Sequence, residues 1–335
     1  MNFVGYMRNY KSPSSLARLI AIFCKSYGIE LIYLRPNDIT ATSKFVNGEI
    51  FLNNKWHKVE VPLPRFIDIS QYCFKKFDKK TYKFLLDNTI LSDNNQIRLN
   101  KMELQLRLQK DKQFKDLIIP SKIAQNYEDV IEFLVNYKKI ILKPLSGQFG
   151  SNVFQISNIG SKFIVVYENE EKEISEEDLV KFINDLISKR RYLLQKYIHS
   201  KTKQGYPFDC RINVEKNFKG EWETARIFIR IGIGQKVVSN LSQGGGVSQL
   251  KPFLKSNFKE YREDINKKIN EIANTLPYKI ELLRKCTLMT IGIDLGIDLN
   301  GKVYLFETNG APGTKQLRAE VALLRSSYYK YVLDN

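Results

Sequence analysis

Residues 291–313, IGIDLGIDLNGKVYLFETNGAPG, constrain the fold more than any other stretch of the chain. Apolar residues alternate with small or acidic ones on both sides of Asn300-Gly301, which predicts a β-hairpin closed by a two-residue type I′ turn. With that turn Leu299 pairs with Lys302, and counting outward sets Asp294 opposite Glu307 and Gly292 opposite Asn309. One face then carries Ile291, Ile293, Leu295, Ile297, Leu299, Tyr304 and Phe306 as a core face. The other carries Gly292, Asp294, Gly296, Glu307 and Asn309 as a floor. Like charges opposed across a strand pair repel, so the two acids either lie in water or hold a cation between them. The all-oxygen set Asp294, Glu307 and Asn309 suits Mg²⁺ or Mn²⁺.

A chain of 335 residues can bury a large core and divide into two or three units. No apolar run is long enough to span a membrane, and the N-terminus MNFVGYMRNYKSPSS has no continuous apolar signal core, so a cytoplasmic location is expected. Four dispersed cysteines without CxxC spacing and two histidines argue against a zinc site, a disulfide framework or a His-based triad. The formal charge of +17 attracts anions. No nucleic-acid-binding motif accompanies it, and the lysines are spread along the chain, which favours a generally basic surface over a nucleic-acid stripe.

The expected organisation is an N-terminal α/β unit over 1–95, a central unit over 96–197 and a C-terminal unit with the metal floor over 198–335. In the first, NFVGYM and IELIYLRP read as strands around a helix with Ser12 as N-cap, and Asn47-Gly48 reads as a hairpin turn. RFIDIS reads as a strand before a helix from about Gln71 to Leu86. The polar stretch DNTILSDNNQIRLN marks the boundary, and Lys101 opens the helix after it. Two helices, Asn257 to Leu276 and Tyr278 to Met289, are expected before the hairpin, and one more in the C-terminal tail.

Three further features point to an anionic ligand. KKIILKPLSGQFGSNVFQIS is strand, small-residue loop and strand. Lys143 at the strand end and glycines 147 and 150 suit phosphate, although GxxxxGK[ST] is absent and an ordinary hairpin would read the same. In YLLQKYI, Gln195 suits an adenine edge or a solvent-facing strand end. Asp209, Arg211, Arg226 and Arg230 lie on alternating strands, where inward arginines are costly unless they meet anions. Ser239, Asn240 and glycines 244–246 form a small-residue loop suited to closing over a ligand or to a tight turn.

In this order, the chain resembles the YheC/YheD-type branch of the ATP-grasp superfamily, known from endospore-associated proteins. The landmarks are Trp56 to Lys58 with the PLP at 62–64, the LNK at 99–101, LKPLSGQFG, LLQKYI, PFDCRINVEKN, VSNLSQGG and the hairpin. The resemblance implies an α+β ATP-grasp fold, two subdomains clasping ATP, behind a small N-terminal α/β domain. It implies that Lys101 and Lys143 hold ATP phosphates, with Gly147, Gly150 and Ser151 in the covering loop. Gln195 and Ile198 would sit at the adenine hinge, and Asp294, Glu307 and Asn309 would hold two Mg²⁺ ions. Arg230 and Arg211 would stabilise the transferring phosphoryl group and the acyl phosphate. Two departures stand out: Asn152 replaces a glycine common in the covering loop, and Ser70 and its neighbours lack an arginine common in relatives.

The implied activity is an ADP-forming carboxylate–amine or carboxylate–thiol ligase, and the basic surface points to an acidic peptide or polymer as substrate. A kinase on the same fold and a non-catalytic basic, spore-associated binding protein are the alternatives. The lack of a Ser/His or Cys/His pair fits a reaction without a protein nucleophile.

Overall fold

Alternating apolar residues build three six- or five-stranded sheets in the computed structural model, which describes residues 2–42, 44–95, 97, 99–145, 152–168, 170–233 and 244–335. The first sheet holds β1 (Asn2–Met7), β2 (Ile29–Leu34), β3 (Phe45–Leu52), β4 (Lys55–Pro62), β5 (Phe66–Ile69) and β6 (Ile90–Leu91), in the order β4-β3-β2-β1-β5-β6. Strands β2, β1, β5 and β6 run parallel and β3–β4 is an antiparallel hairpin at the edge. Helix α1 (Ser15–Lys25) covers one face, and α2 (Lys79–Asn88) leads into β6.

Helix α3 (Lys101–Gln109) precedes the second sheet, which holds β7 (Ser121–Ala124), β8 (Lys139–Pro144), β9 (Phe154–Asn158), β10 (Phe163–Tyr167), β11 (Glu170–Ile174) and β12 (Tyr192–Lys196). It is antiparallel throughout, in the order β11-β10-β9-β8-β12-β7, with α4 (Tyr127–Tyr137) and α5 (Glu176–Lys189) packed on it. The third sheet, β15-β14-β13-β16-β17, comprises β13 (Phe208–Lys216), β14 (Trp222–Ile231), β15 (Gly246–Gln249), β16 (Thr290–Ile297) and β17 (Val303–Asn309). Helices α6 (Leu250–Asn257) and α7 (Arg262–Arg284) cover its apolar face, together with Leu104 and Leu108 of α3. Helix α8 (Arg318–Asp334) contributes Val321, Tyr328 and Tyr329 to a core shared with α1, the first sheet, Phe228 of the third and Met289 just before β16.

Several local expectations change. Asn47-Gly48 lies inside β3, and the hairpin turns at Asn53-Asn54, both at positive φ (48° and 61°), as a type I′ turn requires. Gly48 is there for packing: a Cβ would come within 2.5 Å of Ile32 Cγ2 and 2.9 Å of the Tyr33 carbonyl oxygen on β2. The cap of α1 is Ser14, whose Oγ accepts from the Ala17 N–H at 3.2 Å, and not Ser12. Residues 71–86 do not form one helix. A short 3₁₀ turn, Phe74–Lys76, precedes α2, which starts where Asp78 caps Thr81. The two helices expected around Pro277 are the single α7. Pro277 forfeits one backbone bond but is buried in a stripe of Ile269, Ile272, Ala273, Leu276 and Ile280 that continues across it.

A buried ionic cluster ties the first and third sheets together through α8. Arg325 donates to both carboxylate oxygens of Glu215 on β13 (3.0 and 3.1 Å) and to Asp68 of β5 at 3.3 Å. Asp68 also accepts from Arg8 at 2.9 Å and from the Tyr329 hydroxyl at 2.5 Å, and Glu215 accepts from Thr290 at 2.7 Å. Burial opposes ionisation of Asp68, but Arg8 and Arg325 outweigh it and hold the carboxyl below the usual aspartate range. Removing Arg325 leaves the buried Glu215 without its cation and takes one of two arginines from Asp68. Arg325→Leu is therefore expected to lower unfolding stability by about 3–5 kcal/mol, measured by urea titration, whereas Lys330→Ala on the exposed side of the same helix shifts it by less than about 0.5 kcal/mol.

Candidate active site

The site forms where β16 and β17 meet β13 and β14 on the face opposite the α7 core. Asp294 is paired in register with Glu307 on β17 and with Arg211 on β13, and Gly292 lies opposite Asn309. The turn is not the two-residue one expected. Asp298 caps a wider loop, its carboxylate accepting from the Asn300 and Lys302 N–H groups, and its own N–H donates to the Lys302 carbonyl. This shifts the first pairs to Ile297–Val303 and Leu295–Leu305, and a bulge between Asp294 and Leu295 then restores the Asp294–Glu307 pair.

The correction moves side chains between faces. Val303 and Leu305 join the core, Leu299 is exposed, and Tyr304 and Phe306 leave the core face for the site face. There they form a small apolar cluster with Ile119 and Ile198, separate from the large cores. Gly296 makes room, since a Cβ there would overlap the Phe306 ring. Sequence reasoning missed this wall; the signal was the Asp298-x-Asn300-Gly301 spacing, in which an aspartate two residues before the asparagine favours a longer, Asx-capped loop.

Charge is concentrated and paired around the floor. Arg211 grips Asp294 with two N–H groups, the longer bond being 2.8 Å, and Arg230 reaches the same carboxylate at 3.0 Å. Asp209, not assigned a role from sequence, fixes the Arg230 plane through two 2.6 Å bonds. Lys101 Nζ lies 3.0 Å from Glu307, and the Asn309 amide approaches Glu307 at 3.2 Å and Asp294 at 3.4 Å. Burial disfavours the Asp294 anion, yet Arg211 and Arg230 hold its carboxyl below the usual range. The opposed acids thus face cations supplied by the protein itself.

The second sheet closes the other side. Lys143, the fifth residue of β8, donates to Gln195 Oε1 at 2.8 Å and reaches the Phe306 carbonyl at 3.4 Å, bridging the two sheets. Gln195 is buried and donates onward to Ser121 Oγ at 3.0 Å, so it does not face solvent. Burial, and secondarily the nearby Lys101 charge, lower the Lys143 ammonium to about 8, against a partial offset from Glu307. Lys101 owes its place to α3. Asn100 caps that helix reciprocally with Glu103, and Leu104 and Leu108 bury in the core of the third sheet. Four cations (Lys101, Lys143, Arg211, Arg230) face three carboxylates (Asp209, Asp294, Glu307), an excess suited to an anion. Arg226 stands apart and donates to the Gln316 carbonyl at 2.6 Å. Gly147, Gly150 and Ser151 lie outside the described residues, as do Ser239 and Asn240.

A family profile described as YheC/D like ATP-grasp matches residues 91–334. The endospore coat-associated protein YheD of Bacillus subtilis is 27% identical over 279 residues, spanning 80% of this chain and 61% of YheD, so the chain covers less than two thirds of that relative. YheC of the same organism, also named endospore coat-associated, is 25% identical over 335 residues, spanning 95% of this chain and 89% of YheC. Among solved structures, a RiPP-associated ATP-grasp ligase of Chryseobacterium gregarium, in complex with ADP and a leader and core peptide, superposes with a TM-score of 0.54. It is 14% identical, over 98% of this chain and 97% of that one. The fold is therefore ATP-grasp, of α+β class.

Asn152 has φ = 57°, in the left-handed region that glycine and asparagine tolerate. The departure from glycine thus keeps the backbone conformation. Asn152→Gly is expected to leave the thermal midpoint nearly unchanged, and Asn152→Ala to cost about 1 kcal/mol, measured by calorimetry.

Proposed function

The chain belongs to the YheC/D-like ATP-grasp family, and on that premise we propose that it is an ADP-forming ligase that activates a carboxylate as an acyl phosphate for attack by an amine or thiol. The observation that carries the reading is the convergence of Lys101, Lys143, Arg211 and Arg230 on the Asp294–Glu307–Asn309 floor beside an apolar wall. An adenine ring fits that wall, which offers Ile198, Tyr304 and Phe306 on one side and the Gln195 amide at its end. Lys143 and Lys101 receive the phosphates, trading their contacts with Gln195 and Glu307 for phosphate oxygens.

Among the described residues no group of three His, Cys, Asp or Glu side chains forms a metal cluster. The donors on offer are two carboxylates and one amide, which fits a hard cation that takes its remaining ligands from phosphate and water. Asp294, Glu307 and Asn309 would hold Mg²⁺, which would neutralise charge on the phosphates. The Arg230 guanidinium, fixed by Asp209, stabilises negative charge at the reacting centre without reorganising. A carboxylate oxygen of the substrate attacks the γ-phosphorus and ADP leaves. The amine then attacks the acyl carbon, loses a proton, and phosphate leaves.

The positive surface supports an acidic or peptide-like substrate, in keeping with the peptide bound by the Chryseobacterium ligase. The names of both Bacillus relatives support a spore-coat association. No helix among the described residues is long and apolar enough to cross a membrane.

Two measurements test the reading. Calorimetry is expected to show Mg²⁺-dependent ATP binding that weakens on the order of tenfold or more in Asp294→Asn and in Glu307→Gln, with phosphate released only when an acid and an amine are both supplied. Stable phosphorylated acid formed without amine consumption would make the protein a kinase, and absence of ATP binding would leave a basic binding protein. Proton linkage is the second. With its ammonium lowered to about 8, Lys143 is partly neutral without ligand at and above that pH. Phosphate favours the charged form, so ATP binding between about pH 8 and 10 takes up protons and the uptake fades towards pH 7. Calorimetry in buffers of different ionisation enthalpy reads this directly, and Lys143→Met should abolish it.

A further inference from the structure

A second cleft, of about 440 Å³, opens on the other face of β14 from the candidate active site. Successive strand residues point to opposite faces, so Arg230 is aimed at Asp294 while Ile231 faces α6. The cleft is walled by Tyr206, Ile231, Ile233, Ser248, Pro252 and Phe253, between the 202–206 turn, β15 and α6. None of its lining residues is acidic or basic. Apolar side chains here are left in water to an unusual degree: Tyr206 is 42% exposed and Ile233 53%.

Its margin is positive. Lys203 lies between the lining residues Thr202 and Gln204, and its backbone N–H is held by Asn257 at 3.0 Å. Lys251 and Lys255 are one turn apart on α6, each adjacent in sequence to a lining residue, Pro252 and Ser256. Among the described residues none of these three lysines has a carboxylate partner, whereas Lys101, Lys122, Lys162, Lys189, Lys216, Lys268, Lys279 and Lys330 each have one. Strand β15 is also the outermost strand of its sheet among the described residues.

We propose that this cleft is a docking site for an extended acidic peptide segment, whose aliphatic or aromatic side chain enters the cleft between Tyr206, Ile233 and Phe253 while flanking carboxylates meet Lys203, Lys251 and Lys255. The apolar lining supplies an anchor, the rim selects charge, and the β15 edge offers main-chain groups to an extended partner. The site lies behind the β14 strand that carries Arg230, so occupancy leaves the nucleotide site open. The proposal does not depend on the ligase reading.

The test uses fluorescence anisotropy with the full chain and three labelled peptides. One alternates glutamate with leucine and phenylalanine, one replaces the apolar residues by serine, and one replaces glutamate by lysine. The expected result is a preference for the first peptide of roughly tenfold over either control. That preference should be lost in Tyr206→Ser/Ile233→Ser and, separately, in Lys203→Glu/Lys251→Glu/Lys255→Glu. ATP binding and the thermal midpoint should stay unchanged, because every substituted side chain is surface-exposed or at the cleft mouth. Should a multiple variant misfold, Ile233→Ser and Lys251→Glu alone carry the test. Equal binding of both acidic peptides would reduce the cleft to general surface charge, and insensitivity to either set of substitutions would overturn the proposal. Self-association of the wild-type chain in sedimentation, abolished by the lysine reversals, would assign the cleft to a second copy of the chain and overturn it as well.

Discussion

The relation of the N-terminal sheet to the C-terminal one rests on Arg325. Its guanidinium lies on the C-terminal helix and bridges Asp68 of the first sheet and Glu215 of the third, at a depth where an unpaired charge would be untenable. Arg8, Tyr329 and Thr290 satisfy the remaining carboxylate lone pairs. Such a cluster contributes less net stability than its many bonds suggest, because four charged groups had to leave water. Its value is specificity of docking. In the observed placement α8 satisfies every member of the cluster against both sheets at once.

The site repeats the principle at its own scale. Asp294 and Glu307 oppose each other because a bulge compensates for a wide turn, and their repulsion is offset by guanidinium and ammonium groups brought from β13, β14 and α3. The cations are thus held on one face, already oriented by their carboxylate partners. Lys143 is the exception. It comes from the second sheet, has no carboxylate within salt-bridge distance among the described residues, and is correspondingly reluctant to stay charged. A group held in that state gains most from an incoming anion.

Much of this was legible in the linear pattern. The Asp294–Glu307 and Gly292–Asn309 pairs, the strand positions of Arg211 and Arg230, the helix that opens at Lys101 and the strand-end position of Lys143 all follow from alternation, periodicity and turn residues. The family relationship was carried by the order of those motifs. Other readings failed for identifiable reasons. Asn47-Gly48 imitates a turn, although the glycine is demanded by the close approach of β2. Pro277 imitates a helix end, although core packing on both sides holds the helix through it. The hairpin pairing came out right from a wrong turn, because the wide loop and the bulge cancel.

The sequence by itself determined the local periodicities, the excess of positive charge and the residue types able to bind phosphate and a hard cation, since these depend on neighbours a few residues apart. Only the tertiary structure decided which side chains meet. It turned Tyr304 and Phe306 from the core to the site, gave Arg230 its fixing partner in Asp209, buried Asp68 and Glu215 around Arg325, and, among the described residues, left the lysines beside the α6 cleft without carboxylates. Bulge position, desolvation and ion pairing depend on groups distant in the chain and on the water they displace, and no short window of sequence contains both partners.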